Sequence, residues 1–275
     1  MKIFVAIPGR GHSLDFNVTA CLMEEYALAL QCGVHLEFRL FPSSGGIADG
    51  RNFLVADFLK SDCDRIFFLD SDITFRKGDL LQCATKPVDF VGGAYRHKKE
   101  EESYPIQFKE GEMCWDENKL IQVDKLPFGF ICLTRNVFKK FDEKFPERYN
   151  KNFGLKSTCY FQFPIGPDGV LWGEDFCFCK EWNEMGGKVY LDPELELTHW
   201  GALPTPYKGH IGNWLKSQPK NIARRLILMK EKETGKKFEP IEVKDIDVEA
   251  LKGNENGKGS ESVRDLSAEC LPQGL

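Results

Sequence analysis

The chain has 275 residues, a hydrophobic fraction of 42% and a formal net charge of −5, with 37 Lys and Arg against 42 Asp and Glu. This length accommodates one large α/β domain with appendages, and the hydrophobic fraction is enough for a sizeable core. The basic residues are scattered along the chain, which argues against nucleic acid as a partner. No apolar run approaches the roughly 18 residues of a transmembrane segment, so we expect a soluble, cytoplasmic protein.

The chain opens with alternating strand and helix patterns. Apolar runs predict buried strands, a period of about 3.6 residues predicts helices, and Asp15 is placed to cap the first helix. This β-α-β-α-β order predicts a parallel sheet with right-handed crossovers. The predicted elements are strands at 3–7, 34–41 and 66–69 and helices at 15–32 and 47–60, with a loop at 42–46.

The second half of the chain is less regular, and residues 107–126 follow neither period. The long segment 146–169 predicts a loop that covers a substrate, because irregular loops of that length in compact domains are usually functional or mobile. We expect one main domain at 1–240 and a largely disordered extension at 241–275, whose composition is typical of disorder. The remaining predictions are helices at 77–85, 136–145, 174–185 and 221–233 and strands at 88–94, 129–134, 188–191 and 195–198.

The most informative segment is the third apolar strand, because it ends in two carboxylates, Asp70 and Asp72. Ligands of open α/β sheets collect at the carboxyl ends of such strands. Neighbouring carboxylates repel each other, and a divalent cation such as Mn²⁺ or Mg²⁺ is the usual reason to keep both ionised. The alternative is an Asx-type turn with solvated carboxylates.

Four further motifs lie at the ends of predicted elements, and together they favour the metal hypothesis. They are Pro8-Gly9-Arg10-Gly11, Gly50-Arg51-Asn52, Trp172-Gly173-Glu174-Asp175, and His199-Trp200-Gly201 followed by Lys208 and His210. Their order resembles that of the GT-A class of nucleotide-sugar-dependent glycosyltransferases, over roughly residues 3–215. In size and motif order the chain is also similar to small glycosyltransferases of large algal viruses, which would place it in a host cytoplasm.

The resemblance implies a GT-A fold, an α/β architecture with a mostly parallel central sheet flanked by helices. It also implies transfer of a sugar from a nucleoside-diphosphate sugar, UDP- or GDP-linked, to a hydroxyl of a glycan or glycoconjugate. Asp70, Asp72 and His199 would hold Mn²⁺ or Mg²⁺, with His210 as an alternative ligand. The residues implied in binding the donor are Pro8, Gly9, Arg10, Asp49, Arg51, Asn52, Asp70, Ser71 and Lys208.

The chemistry of glycosyl transfer fits these assignments. The leaving diphosphate is anionic, and a bound metal stabilises it as a Lewis acid. In inverting transfer a carboxylate deprotonates the acceptor hydroxyl, a role that the resemblance gives to Asp175, with Glu174 as an acceptor-orienting residue or substitute base. Alternatively, the two acidic residues at the start of this helix have no catalytic role and only complement the helix dipole. Residues 92–95 and 128–130 would line the sugar pocket, although plain core packing explains them equally well.

Two other functions remain open. Haloacid-dehalogenase-type phosphatases also carry a strand ending in Asp-x-Asp-x-Thr, matched here by residues 70–74, and Asp70 would then be a covalent nucleophile. In that family this strand normally comes first in the core domain, whereas here two β-α units precede it. A non-catalytic sugar-binding domain with the same fold is the second alternative.

Overall fold

The computed structural model describes residues 1–10, 14–43, 46–109, 113–150, 157–167, 169–201 and 206–218. The chain divides into two compact units, Met1–Trp214 and Leu215–Leu275. The predicted helix at 221–233 and the predicted domain boundary at residue 240 lie outside the described ranges. Within those ranges, no helix combines the length and apolar character needed to cross a membrane.

The helices are α1 (Phe16–Gln31), α2 (Ile47–Lys60), α3 (Asp79–Thr85), α4 (Arg135–Lys144), α5 (Glu174–Glu184) and α6 (Ile211–Ser217). The strands are β1 (Lys2–Arg10), β2 (His35–Ser43), β3 (Arg65–Leu69), β4 (Ile73–Phe75), β5 (Phe90–Gly92), β6 (Gln107–Phe108), β7 (Cys114–Trp115), β8 (Ile121–Lys125), β9 (Phe130–Thr134), β10 (Tyr149–Asn150), β11 (Ser157–Thr158), β12 (Val189–Leu191), β13 (Leu197–His199) and β14 (Tyr207–Gly209).

The large sheet has the strand order β2-β1-β3-β9-β5-β12-β8-β6, with β7 also paired to β8. Strand β1 is parallel to β2 and β3, which confirms the predicted parallel opening. The pairing of β5 with β12 is also parallel. Strand β9 lies between β3 and β5 and is antiparallel to both, and β8 is antiparallel to β12. Strands β6 and β7 are antiparallel to β8 as well. The sheet is therefore mixed, and β8 and β9 run opposite to its other strands.

Two carboxylates cap the helices that pack near β4. The predicted cap of α1 is confirmed, because the Oδ1 atom of Asp15 accepts from the N–H of Asn17 at 2.8 Å. Helix α3 has a glycine at its own cap position and is capped from α1 instead. Glu25 accepts from the N–H of Gly78 at 2.6 Å and from that of Leu81 at 2.9 Å. A buried acid thus satisfies free N–H groups of a neighbouring helix.

Side chains alternate along each strand, so the core has one side that is mainly aliphatic and a second side that is formed largely by aromatic rings. Ile3, Val5 and Phe67 belong to a buried cluster that includes residues of α1 and α3. Phe4 and Phe68 are buried among other rings. The aromatic cluster joins α2, α4 and α5 to the sheet through Phe58, Phe90, Phe128, Phe138, Phe141, Phe161 and Phe178.

The predicted glycine turn after the first strand is wrong. Pro8, Gly9 and Arg10 continue β1, because they pair in register with Phe41–Ser43 of β2. The predicted start of a loop at residue 42 is wrong for the same reason. Hydrogen-bonding partners across the sheet extend both strands beyond their apolar cores, and a local pattern does not contain that information.

Other parts of the chain also differ from the sequence-based predictions. The unassigned region 107–126 contains β6, β7 and β8. The predicted covering loop at 146–169 contains the paired strands β10 and β11, and its Tyr160 and Phe161 are buried in the aromatic cluster. Strands β4 and β14 and helix α6 were not predicted, because each has only a few residues and a strand gains most of its definition from its partner.

Candidate functional site

The acidic pair lies on a tight turn at the carboxyl end of β3. The N–H of Asp70 donates to the carbonyl of Gly129 at 3.0 Å, which continues the pairing of β3 with β9. The N–H of Ile73 donates back to the carbonyl of Asp70 at 3.2 Å and closes the turn. The turn therefore holds Asp70, Ser71 and Asp72 at the edge of the sheet where ligands of α/β folds bind.

His199 reaches this turn through a second, small sheet with the order β14-β13-β4. Strand β13 is antiparallel to β4, and its His199 is opposite Ile73. The N–H of Trp200 donates to the carbonyl of Asp72 at 2.9 Å. As a result, Nε2 of His199 lies 3.5 Å from Oδ2 of Asp72. The predicted association of Asp72 with His199 is present in the fold.

A lysine also contacts Asp72. The Nζ atom of Lys98 lies 2.6 Å from the same Oδ2 atom that faces His199. Burial raises the pKa of Asp72, but the neighbouring His199 and Lys98 together outweigh burial and lower the pKa below its usual value. Asp72 is therefore held as a carboxylate.

The orientation of His199 fits a cation ligand. Its Nδ1 atom lies 2.9 Å from the carbonyl oxygen of Arg96. A carbonyl only accepts, so Nδ1 carries the hydrogen, and in the neutral ring the lone pair is on Nε2, facing the Asp72 carboxylate. A histidine fixed in this way by a carbonyl is typical of metal ligands. Among the described residues, no group of three His, Cys, Asp or Glu side chains could hold a metal, so this chain would supply Asp72 and His199.

Asp70 belongs to a different ion-pair group, centred on Arg51 of α2. Arg51 Nη2 lies 3.0 Å from Asp70 Oδ1, and Nη1 donates to Oε1 of Glu174. The Arg51 side chain is only 3% exposed and lies over the rings of Phe128 and Phe161, at 5.6 and 5.9 Å from their centroids. Burial raises the pKa of both carboxyls, and the Arg51 guanidinium opposes that rise.

This arrangement changes two predictions. Arg51 does not open its helix, because α2 begins at Ile47 and Arg51 lies in the second turn, facing the interior. Asp70 directs one oxygen to Arg51, whereas Asp72 binds Lys98 and His199. The two carboxylates that were predicted to share one cation are therefore neutralised by different cationic side chains.

Helix α5 brings its acidic start to the same place. Glu174 is its first residue and is buried against Arg51, while Asp175 is partly exposed. Oδ1 of Asp175 accepts from the N–H of Phe176 at 2.7 Å. The charge of Asp175 raises the pKa of both Asp70 and Glu174.

Tyr95 connects the two groups of charges. It lies just beyond β5, it is buried, and its ring centroid lies 4.8 Å from that of His199. A Cβ atom on Gly129 would lie 2.6 Å from the Tyr95 ring and 2.8 Å from Oδ2 of Asp70. Only glycine allows this approach. Burial and the Asp70 charge raise the pKa of Tyr95 well above its usual range, so its hydroxyl remains protonated.

Several residues that were predicted to bind the donor have contacts or positions that differ from the prediction. The Asn52 amide group donates to the carbonyl of Phe161 and accepts from its N–H, both at 2.9 Å. Asn52 thus connects α2 to the backbone of the segment that was predicted to cover the substrate. Asp49 is exposed in the first turn of α2. Pro8 and Gly9 are strand residues, and the side chain of Arg10 lies outside the described part of the chain.

The two basic residues predicted near the end of the site are also placed differently. Lys208 is in β14 rather than in a loop, opposite Thr198, and its side chain is exposed. Nδ1 of His210 accepts from the N–H of Asn213 at 3.3 Å, which caps α6. His199, rather than His210, therefore faces the acidic pair.

The sequence reasoning missed Lys98. Lys98 lies far from Asp72 in the chain, and neither residue is in a motif with the other. It also missed Arg96, whose carbonyl orients His199. No periodicity signals such contacts, because they depend on how the segment after β5 folds back over the small sheet.

Comparison with known proteins gives distant likenesses. No protein-family model matches the sequence, and no curated protein matches it. Among solved structures, A197 from STIV matches with 18% identity and a TM-score of 0.45, over 73% of this chain and 85% of that chain. The catalytic domain of Drosophila beta1,4galactosyltransferase 7 matches with 14% identity and a TM-score of 0.41, over 76% and 70%.

A third match is GalNAc-T7 with UDP, GalNAc and Mn²⁺, with 13% identity and a TM-score of 0.40, over 97% of this chain and 57% of that chain. Two of these three proteins are glycosyltransferases, and the viral protein among them is A197. Structural similarity at these TM-scores supports no conclusion about chemistry. The similarity to enzymes of large algal viruses stays a prediction, and the function is argued from the site itself.

Proposed function

We propose that this protein is a glycosyltransferase of the GT-A kind, which moves a sugar from a nucleoside-diphosphate sugar to a hydroxyl of a glycan or glycoconjugate. The observation that carries the proposal is the pairing of Asp72 with His199. The antiparallel contact of β4 with β13 brings them together, and the Arg96 carbonyl directs the His199 lone pair towards the carboxylate. One oxygen and one nitrogen ligand suit Mn²⁺ or Mg²⁺.

When bound, the metal would supply charge stabilisation for the leaving diphosphate. The remaining roles belong to side chains of this protein. Asp70 is on the same turn as Asp72 but is held by Arg51, so we assign it to the ribose side of the donor or to a contact through water. Ser71 lies between them on the turn and is partly exposed.

We assign to Asp175 the role of the base that removes the proton from the acceptor hydroxyl. Glu174 is committed to its ion pair with the buried Arg51, whereas Asp175 is partly exposed and uses one oxygen for the N–H of Phe176. A general base needs a free oxygen within hydrogen-bonding distance of the hydroxyl that it deprotonates. Glu174 then acts as a positioning residue for Arg51, and the transfer is inverting.

The test is Asp72→Asn. Titration calorimetry with UDP- and GDP-sugars, with and without Mn²⁺, should show that the Mn²⁺-dependent part of the affinity is lost while the far-UV CD spectrum is unchanged. Asp62→Asn is the matched control, because Asp62 is exposed and pairs with Lys2 at the start of β1. Unchanged Mn²⁺-dependent affinity in Asp72→Asn would contradict the metal assignment.

The same preparation separates the alternatives. A phosphatase would release inorganic phosphate from a phosphoester through an aspartyl-phosphate at Asp70 and leave nucleotide-sugars intact. A non-catalytic sugar-binding domain would bind nucleotide-sugar or glycan without turnover.

A further inference from the structure

Lys98 occupies the place where a cation at Asp72 would bind. Its ammonium group lies 2.6 Å from Asp72 Oδ2, and His199 Nε2 lies 3.5 Å from the same oxygen. A divalent ion bound by an oxygen at roughly 2.1 Å would be within a few ångströms of this ammonium group. Two positive centres that close repel each other strongly, so the ion and Lys98 cannot share the oxygen.

The backbone that carries Lys98 has a defined shape. Nη2 of Arg96 donates to the carbonyl of Lys99 at 3.1 Å and also to the carbonyl of Glu100. The N–H of His97 donates to the carbonyl of Ser103 at 2.8 Å, which closes the segment into a loop. Because the carbonyl of Arg96 also binds His199, one segment positions both Lys98 and His199 next to Asp72.

The contact between Lys98 and Asp72 is exchangeable. Their side chains are 38% and 40% exposed, so water can replace either partner. Lysine has a flexible four-carbon chain, and its head group can leave the carboxylate without a backbone movement.

We propose that Lys98 is a resident cation that competes with the divalent metal for Asp72. In the free protein Lys98 keeps the carboxylate neutralised and weakens metal binding. The metal enters together with a nucleoside diphosphate, whose negative charge provides a new partner for the displaced ammonium group. This inference rests on the proposed function, because it concerns the same metal and donor.

The experiment measures Mn²⁺ dissociation constants from the electron paramagnetic resonance signal of free Mn²⁺, without and with UDP or GDP. Lys98→Met removes the charge and keeps most of the side-chain length. It should bind Mn²⁺ about two- to fivefold more tightly than wild type in the absence of nucleotide, the range expected for a partly exposed ion pair. The gain in Mn²⁺ affinity on adding nucleotide should be smaller in Lys98→Met than in wild type, because no ammonium group is released to the diphosphate.

Two further variants control for other effects. Lys98→Arg keeps the cation and should resemble wild type, and Lys99→Met removes a neighbouring exposed charge and should leave both constants unchanged. If wild type binds Mn²⁺ with nucleotide but Lys98→Met binds it no more tightly without nucleotide, the competition is refuted and the proposed function stands. If no variant binds Mn²⁺ under either condition, the metal-dependent function fails and the inference fails with it.

Discussion

The buried Arg51 provides the most direct test of how the site is built. Its side chain is 3% exposed, and its partners Asp70 and Glu174 are 23% and 10% exposed. Arg51→Met keeps an apolar chain of similar length but leaves two poorly solvated carboxylates without a cation. Removing one partner of a buried ion pair typically costs about 3–5 kcal/mol, because the remaining charge is uncompensated.

We expect the free energy of unfolding of Arg51→Met to fall by about 3–5 kcal/mol, a large part of the typical 5–15 kcal/mol. The corresponding fall in Tm is roughly 6–20 °C for a domain of this size. Urea unfolding followed by tryptophan fluorescence measures it. Arg39→Met is the matched control, because Arg39 is 46% exposed and its ion pairs lie at the surface, so that its loss should be about 1 kcal/mol or less.

Two additional results are expected if the reasoning is correct. Arg51→Met with Glu174→Gln should be less destabilised than Arg51→Met alone, since one uncompensated carboxylate is gone. Burial already raises the pKa of Asp70 and Glu174, and without Arg51 these values rise further. A raised pKa means that the folded state binds more protons than the unfolded state, so its stability falls as the pH rises. The deficit of the variant, meaning its loss of unfolding free energy relative to wild type, should therefore be smaller at about pH 5 than at about pH 8. A deficit of Arg51→Met within about 1 kcal/mol of zero at both pH values would refute the ion-pair account.

Three further changes test separate parts of the structure. Asn52→Ala should lower the free energy of unfolding by about 1–3 kcal/mol, because it removes both hydrogen bonds to Phe161. If the urea midpoint is unchanged and calorimetry shows a loss of UDP affinity, the result would instead support the donor contact predicted from the sequence. Glu25→Gln should cost about 1–3 kcal/mol, because Gly78 and Leu81 donate to different oxygens of Glu25 and the amide N–H₂ that replaces one of them cannot accept. The exposed neighbour Glu24→Gln should stay within about 0.5 kcal/mol in the same urea assay. Asp175→Asn should lower turnover by roughly 10²–10⁴-fold with unchanged donor affinity, and product NMR that shows retained anomeric configuration would rule out the base mechanism.

The sequence was sufficient for features whose cause is local. The apolar run before Asp70 is a strand because every side chain in it is bulky and buried, and Asp15 caps α1 because its side chain reaches the N–H of Asn17. The parallel opening of the sheet followed from the alternation of strand and helix patterns. The position of the acidic pair at a carboxyl strand end followed from the same reasoning.

The partners of each charge required the three-dimensional fold. Asp70 and Asp72 look equivalent in the sequence, yet the sheet edge directs one towards Arg51 and the other towards His199 and Lys98. These contacts join α2, α5, the small sheet and the segment after β5, which are distant in the chain. A periodic pattern records which face of an element is buried, but a single buried cation or carboxylate leaves no period. Which opposite charge compensates it is fixed only when the elements pack.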